Sequence, residues 1–223
     1  NSIRDRLPIG SDGWDVIAYD WADDANTSFT TRGATQALAN AISRGIIEGQ
    51  LLGSREYDHV HIISHSAGGG FANTALEQIK SLSPATDVHL TFLDAFTPDP
   101  SIMYAYARAI QRGEDFSEHY FSLDGTDQFL PWMRTGRAAL PNTHSVDLTL
   151  LDNLTGQEIL FSHGHPIEFY MRTIEEAGSS SKPTEWGPYG WELSREWSDP
   201  TLLRDDWNPS SSYPPGVVAL PFG

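Results

Sequence analysis

The stretch of this 223-residue chain best equipped for chemistry is His61-Ile62-Ile63-Ser64-His65-Ser66-Ala67-Gly68-Gly69-Gly70. A β-branched run precedes Ser66, small residues stand two positions to either side (Ser64 and Gly68), and helix-forming residues follow. This is a relaxed form of the nucleophile-elbow pattern, with Ser64 where a glycine usually stands. A serine on a sharp strand-to-helix turn adopts strained backbone angles. Its neighbours at minus two and plus two nearly touch, so both must be small. The turn lifts the hydroxyl clear of the strand end, and the N–H of Ala67, at the helix start, then points to where an oxyanion forms. The bland alternative is a glycine-rich turn without catalysis. A phosphate cradle is a further rival, because Gly68-Gly69-Gly70 opens a helix, but no Gly-Lys-Ser/Thr follows and Lys80 lies too far along.

A serine is a poor nucleophile until a base takes its proton, and that base must be oriented by a third group. Elbow enzymes carry the partners in the order serine, acid, histidine. Asp94 ends the apolar run Leu90-Thr91-Phe92-Leu93, 28 residues past Ser66, where an acid is expected; Asp124 and Asp127 compete with it. An aspartate at a strand end also serves as an ordinary turn former. Of the eight histidines, His59, His61 and His89 fall in or beside strands and read as packing or edge residues. His65 should point away from Ser66, and His119 and His144 lie near loops. His163 and His165, in Ser162-His163-Gly164-His165-Pro166, stand between the last strand candidate and the last helix, where the base belongs.

The elements that position these groups alternate. Residues 14–21 read as a short strand, and 34–52 carry Ala34, Ala37, Leu38, Ala41, Ile42 and Ile46 at helical steps. Strand candidates follow at Val60–Ile63, Val88–Leu93, Tyr120–Leu123 and Val146–Leu151, with helices over 67–82, 102–112 and 167–176. Such alternation predicts an α/β fold, a mostly parallel sheet with helices on both faces. From Gly178 onward 20 of the last 46 residues are Gly, Pro or Ser, and four of the seven tryptophans sit there. Exposing several tryptophans is costly. Residues 1–177 are therefore expected to form the domain, and 178–223 an irregular, extended tail strapped over it.

Composition excludes several classes of function. Acids outnumber bases 30 to 14, the net charge is −16 and the only lysines are Lys80 and Lys182, which argues against nucleic acid or an anionic membrane as partner. The chain has no cysteine, so disulfides, thiolate metal sites and a cysteine nucleophile are ruled out. No run of about 18 apolar residues exists, so no membrane-spanning helix is expected. Cytosol, periplasm and a disulfide-free secreted enzyme fit about equally, and Asn26-Thr27-Ser28 and Asn153-Leu154-Thr155 match the glycosylation pattern only weakly.

With these residues assembled, the chain resembles the lipase-type α/β-hydrolases, particularly the group of pancreatic-type lipases and bacterial lipase-like proteins. The similarity runs from about Trp14 to Ile174. Val16-Ile17-Ala18-Tyr19-Asp20-Trp21 resembles the family's strand ending in Asp-Trp, and His65-Ser66-Ala67-Gly68-Gly69 its His-Ser-Leu-Gly-Gly elbow. Phe92-Leu93-Asp94-Ala95 resembles its Leu-Asp-Pro-Ala segment, whose aspartate is the triad acid, so the resemblance favours Asp94 over Asp124. In the family the catalytic histidine precedes a tyrosine by seven residues and an isoleucine by eleven, as His163 precedes Tyr170 and Ile174, which prefers His163 to His165.

One departure matters. The family has an earlier strand whose His-Gly turn supplies a second oxyanion N–H, and the 13 residues before Trp14 contain none. Either the chain is truncated at its N-terminus, or the second donor comes from elsewhere, or the site is impaired. The resemblance implies hydrolysis of a lipid or small-molecule carboxylic ester through an acyl-enzyme on Ser66. His163 would be the base, Asp94 its orienter and Ala67 an oxyanion donor, with water and no cofactor. The alternatives are an amidase or thioesterase, or a catalytically impaired binding module. Residues 96–113, with Phe96, Met103, Tyr104 and Tyr106, read either as an apolar lid or acyl pocket or as an ordinary packing helix.

Overall fold

A computed structural model of the chain describes residues 14–16, 18, 57–66, 68–96, 104–110, 115–123, 139–151, 164–198 and 207–220. Among these residues five strands form one all-parallel sheet in sequence order: β1 (His59–His65), β2 (Asp87–Leu93), β3 (Phe116–Phe121), β4 (His144–Asp147) and β5 (Gly216–Ala219). Parallel neighbours require crossovers. Helix α1 (Gly68–Leu82) makes the first, and α2 (His165–Glu175) follows β4. The α/β class predicted from the alternation is present. No helix among the described residues is long and apolar enough to cross a membrane.

Local chemistry sets the helix ends. Lys80 sits in the last turn of α1, where a cation suits the helix dipole, and its Nζ donates to the carbonyls of Pro84 and Thr86 and to Asp115 Oδ1 at 2.8 Å. That commits Lys80 to the far end of the helix from Gly68-Gly69-Gly70 and removes the cation a phosphate cradle would need. Pro166 stands in the first turn of α2, where its missing N–H has no helical partner to lose. Glu168 in its first turn and Arg172 in its last pair at 3.0 Å.

Strand register divides the sheet into two unlike faces. On one, Val60, Ile62, Val88, Leu90 and Phe92 pack against Ala72, Leu76 and Ile79 of α1, together with Tyr106 and Leu140. On the other, Leu93, Tyr120 and Val146 pack against Phe169, Tyr170 and Ile174 of α2. Toward the strand starts this second face turns polar, with His59, His61, His89, Thr91 and Glu118 side by side. Period-two alternation places them there, although a buried face ordinarily carries apolar residues.

Among its described residues, the segment from Gly178 onward is built of short pieces. It contains 3-10 turns at Thr184–Trp186 and Gly190–Leu193, single-turn helices α3 (Arg195–Ser198) and α4 (Pro209–Ser212), and then β5. Trp186 and Trp191 are buried against α2 and Tyr120, and Trp207 against Phe116 and Leu193. Other boundaries also shift. β3 starts at Phe116 rather than Tyr120, because the fully buried Ser117, Glu118 and His119 interrupt any apolar run. His119 accordingly lies inside β3, not near a loop, whereas His144 is the first residue of β4, directly after a turn. In the expected 102–112 helix, only Tyr104 and Ala105 are helical among the described residues. Ala107 adopts φ 54°, and its N–H goes to Asn73 Oδ1 at 2.8 Å, out of any helical ladder.

Candidate active site

Ser66 is the first residue beyond β1, and it has left-handed backbone angles, φ 54°. A non-glycine residue there is uncommon and strained. Three backbone hydrogen bonds hold it. Its N–H donates to the Leu93 carbonyl at 3.0 Å, and its carbonyl accepts from the N–H groups of Gly69 (3.0 Å) and Phe96 (2.9 Å). The chain therefore leaves β1, turns sharply at Ser66 and enters α1, with the turn latched to the end of β2. The small neighbours meet as their spacing requires: a Cβ on Gly68 would lie 3.7 Å from the Ser64 Cβ. A Cβ on Gly69 would come within 3.2 Å of the Ala95 Cβ and 3.4 Å of the Phe92 ring, so glycine lets α1 approach β2 closely.

Asp94 occupies the matching position beyond β2, one step past the His65–Leu93 pair. It too is left-handed, at φ 47°, and is buried; its N–H donates to the Tyr120 carbonyl at 2.8 Å. Sequence spacing thus brings the candidate nucleophile and acid to adjacent strand ends on the same edge of the sheet, where open α/β sheets hold their ligands. Ala67, Asp124 and His163 lie outside the described residues. The chain resumes at Gly164, and His165 begins α2 buried, its imidazole pushed below its ordinary pKa by that burial. Of the aromatic segment after Asp94, Tyr106 is core. Its ring stacks on Phe92 and its hydroxyl donates to the Phe96 carbonyl, while Tyr104 is exposed.

A second polar constellation lies under the other end of the sheet. His61 Nδ1 meets Glu196 Oε1 at 2.8 Å, and His61 Nε2 meets Thr91 Oγ1 at 2.8 Å. Thr91 donates to Glu118 Oε1 at 2.6 Å, His89 Nε2 lies 3.1 Å from the same oxygen, and the Tyr120 hydroxyl donates to Glu118 Oε2. The His61 and His89 rings stack with centroids 3.9 Å apart. Burial pushes Glu118 up to about 7, against the pull of its Thr91 and Tyr120 hydrogen bonds. For Glu196 burial pushes the same way, but His61, with His59 and His89 behind it, holds the carboxyl down at about 2. Sequence reading assigned these histidines to packing. It missed the cluster because Glu196 lies 135 positions from His61; the only available signal was two strands each placing histidine at inward positions.

On the opposite face, His119 is fully buried, and desolvation alone lowers it to about 3. Its Nε2 accepts the Ala95 N–H at 3.3 Å. A histidine whose pKa is lower folded than unfolded leaves stability intact above about pH 6.5 and removes it as pH falls toward the folded value. One such group costs about 1.4 kcal/mol per pH unit over that window. Urea unfolding from pH 7 to 4 is expected to show His119→Gln gaining on the parent by about 3 kcal/mol at pH 4. A difference independent of pH would show that His119 does not govern the acid limb.

No known protein family matches the chain, and no curated protein or solved structure matches it either.

Proposed function

We propose that this chain is an α/β-hydrolase-type serine esterase that cleaves lipid or short-acyl carboxylic esters through an acyl-enzyme on Ser66. One observation carries the reading: Ser66 holds a left-handed φ of 54° between a parallel strand and a glycine-opened helix. Such strain persists only where surrounding structure enforces it, and it gathers at functional positions. Asp94 at the neighbouring strand end supports the same reading.

In this mechanism His163 removes the Ser66 proton as Oγ attacks the ester carbonyl, and Asp94 keeps the imidazole in its working tautomer. The Ala67 N–H receives the developing oxyanion. His163 then gives its proton to the departing alcohol. Water, deprotonated by the same imidazole, releases the acid and restores the serine. The reaction balances with ester and water alone.

Fluorophosphonate labelling followed by peptide mapping tests the reading. Modification is expected at Ser66 and not in His163→Ala. A folded protein that takes up no label at Ser66 would leave the binding-module alternative in its place.

A further inference from the structure

We infer that His59, His89 and Glu196 form a buried site for one divalent transition-metal ion, zinc fitting best, which fastens the C-terminal segment to the sheet. His59 comes from the start of β1, His89 from β2 and Glu196 from the single-turn helix α3. One donor atom of each lies within 4.8 Å of those of the other two. A tetrahedral ion with bonds of about 2.0 to 2.2 Å needs donors about 3.3 Å apart, so adjustments on the order of 1 Å close the trio around it.

The hydrogen-bond inventory separates this trio from its neighbours. Both ring nitrogens of His59, His89 Nδ1 and Glu196 Oε2 are buried without a hydrogen-bond partner among the described residues. Buried polar atoms are ordinarily paired, and a trio from three elements in which every member carries an unpaired atom calls for a common partner. The overlapping group His61, His89 and Glu118 also has the right residue types. There, however, both nitrogens of His61 and both oxygens of Glu118 are already engaged.

Those engaged groups have the form of a supporting shell. Glu118 holds His89 Nε2 at 3.1 Å, so the lone pair on Nδ1 is free to bind. A carboxylate behind a histidine is the usual arrangement around a bound metal. His61 fixes Glu196 through Oε1, leaving Oε2 for the ion. The Trp14 and Trp207 rings stand edge-on to His59 and fix its plane. Arg195, beside Glu196, is drawn toward Asp87 at 3.8 Å. Two imidazoles and one carboxylate, with no thiolate anywhere in the chain, suit zinc better than calcium or magnesium, which prefer all-oxygen shells.

The test uses the whole chain, stripped with a chelator and dialysed into metal-free buffer. One zinc per chain is expected, with a rise in Tm of about 5 °C or more at saturating zinc and none with magnesium. Cobalt(II) should give the visible d–d bands of a four-coordinate site. His59→Gln and Glu196→Gln should each lose those bands and weaken zinc at least about 10-fold, while Lys182→Ala changes neither. His59→Gln covers the case in which Glu196→Gln fails to fold. Absence of stoichiometric zinc binding by the parent overturns the assignment and leaves ordered water as the common partner. Binding that survives both substitutions overturns it as well, by placing the ion elsewhere. Neither result bears on labelling at Ser66.

Discussion

Replacing Ser66 with alanine is expected to lower turnover of an activated ester by about four to six orders of magnitude, with KM little changed. In the proposed mechanism the loss falls on kcat because the hydroxyl acts only when it attacks. The fold should survive, since Ser and Ala meet the same steric penalty at φ 54° and the three latching hydrogen bonds use backbone atoms. His163→Ala should match this loss, and the double variant should be no worse, because residues acting as a unit are non-additive. Asp94→Asn should cost about 10⁴-fold through the wrong imidazole tautomer. His165→Ala should retain most turnover. Steady-state rates for this set decide the assignment. If His165→Ala is the silent variant, the base is His165, and if Asp94→Asn is unimpaired, the acid moves to Asp124.

The largest stability effect of any single methyl group is expected at Gly190. Its φ is 71°, and a Cβ there would lie 2.2 Å from Thr173 Oγ1 and 2.7 Å from both Thr173 Cβ and Cγ2. Thr173 cannot yield. It is completely buried, its Oγ1 donates to the Tyr170 carbonyl, and the same oxygen accepts the Trp191 N–H at 3.0 Å. The Gly190 N–H in turn donates to the Tyr120 hydroxyl at 2.5 Å. The left-handed angle costs an alanine about 1 to 2 kcal/mol, and forcing atoms into a filled core costs about 1 to 3 more. Gly190→Ala should therefore destabilise by about 2 to 5 kcal/mol, a fall in Tm of roughly 4 to 20 °C. Gly216→Ala, whose nearest atom would be 3.9 Å away, should move Tm little. Equal melting of both variants would mean that the Gly190 turn is not held against α2.

Legibility in the sequence followed the range over which each signal acts. β1, α1 and β2 were readable because their patterns are local: β-branched runs, a helical stripe and small residues around a serine. The same locality marks Ser66 and Asp94, which the fold sets at adjacent strand ends. β3 starts earlier than its apolar run predicts because Glu118 and His119 look like surface residues, yet both are buried. Their burial is made tolerable by partners from other strands, Thr91 and His89 for Glu118 and the Ala95 N–H for His119. No window of neighbouring residues contains those partners. β5 was missed for a related reason: Gly216-Val217-Val218-Ala219 is short, follows two prolines, and is a strand only because β4 offers it an edge.

That last pairing also sets an order of events during synthesis. Gly216 aligns with His144, 72 positions earlier in the chain. At about 5 to 20 residues per second, a ribosome needs roughly 4 to 14 s to deliver β5 after β4 has been made. Through that interval the outer edge of β4 presents unpaired N–H and C=O groups, a template for any other extended chain. The nascent protein is thus most open to mispairing, and to capture by a chaperone, after its candidate nucleophile and acid have both emerged but before its sheet is closed.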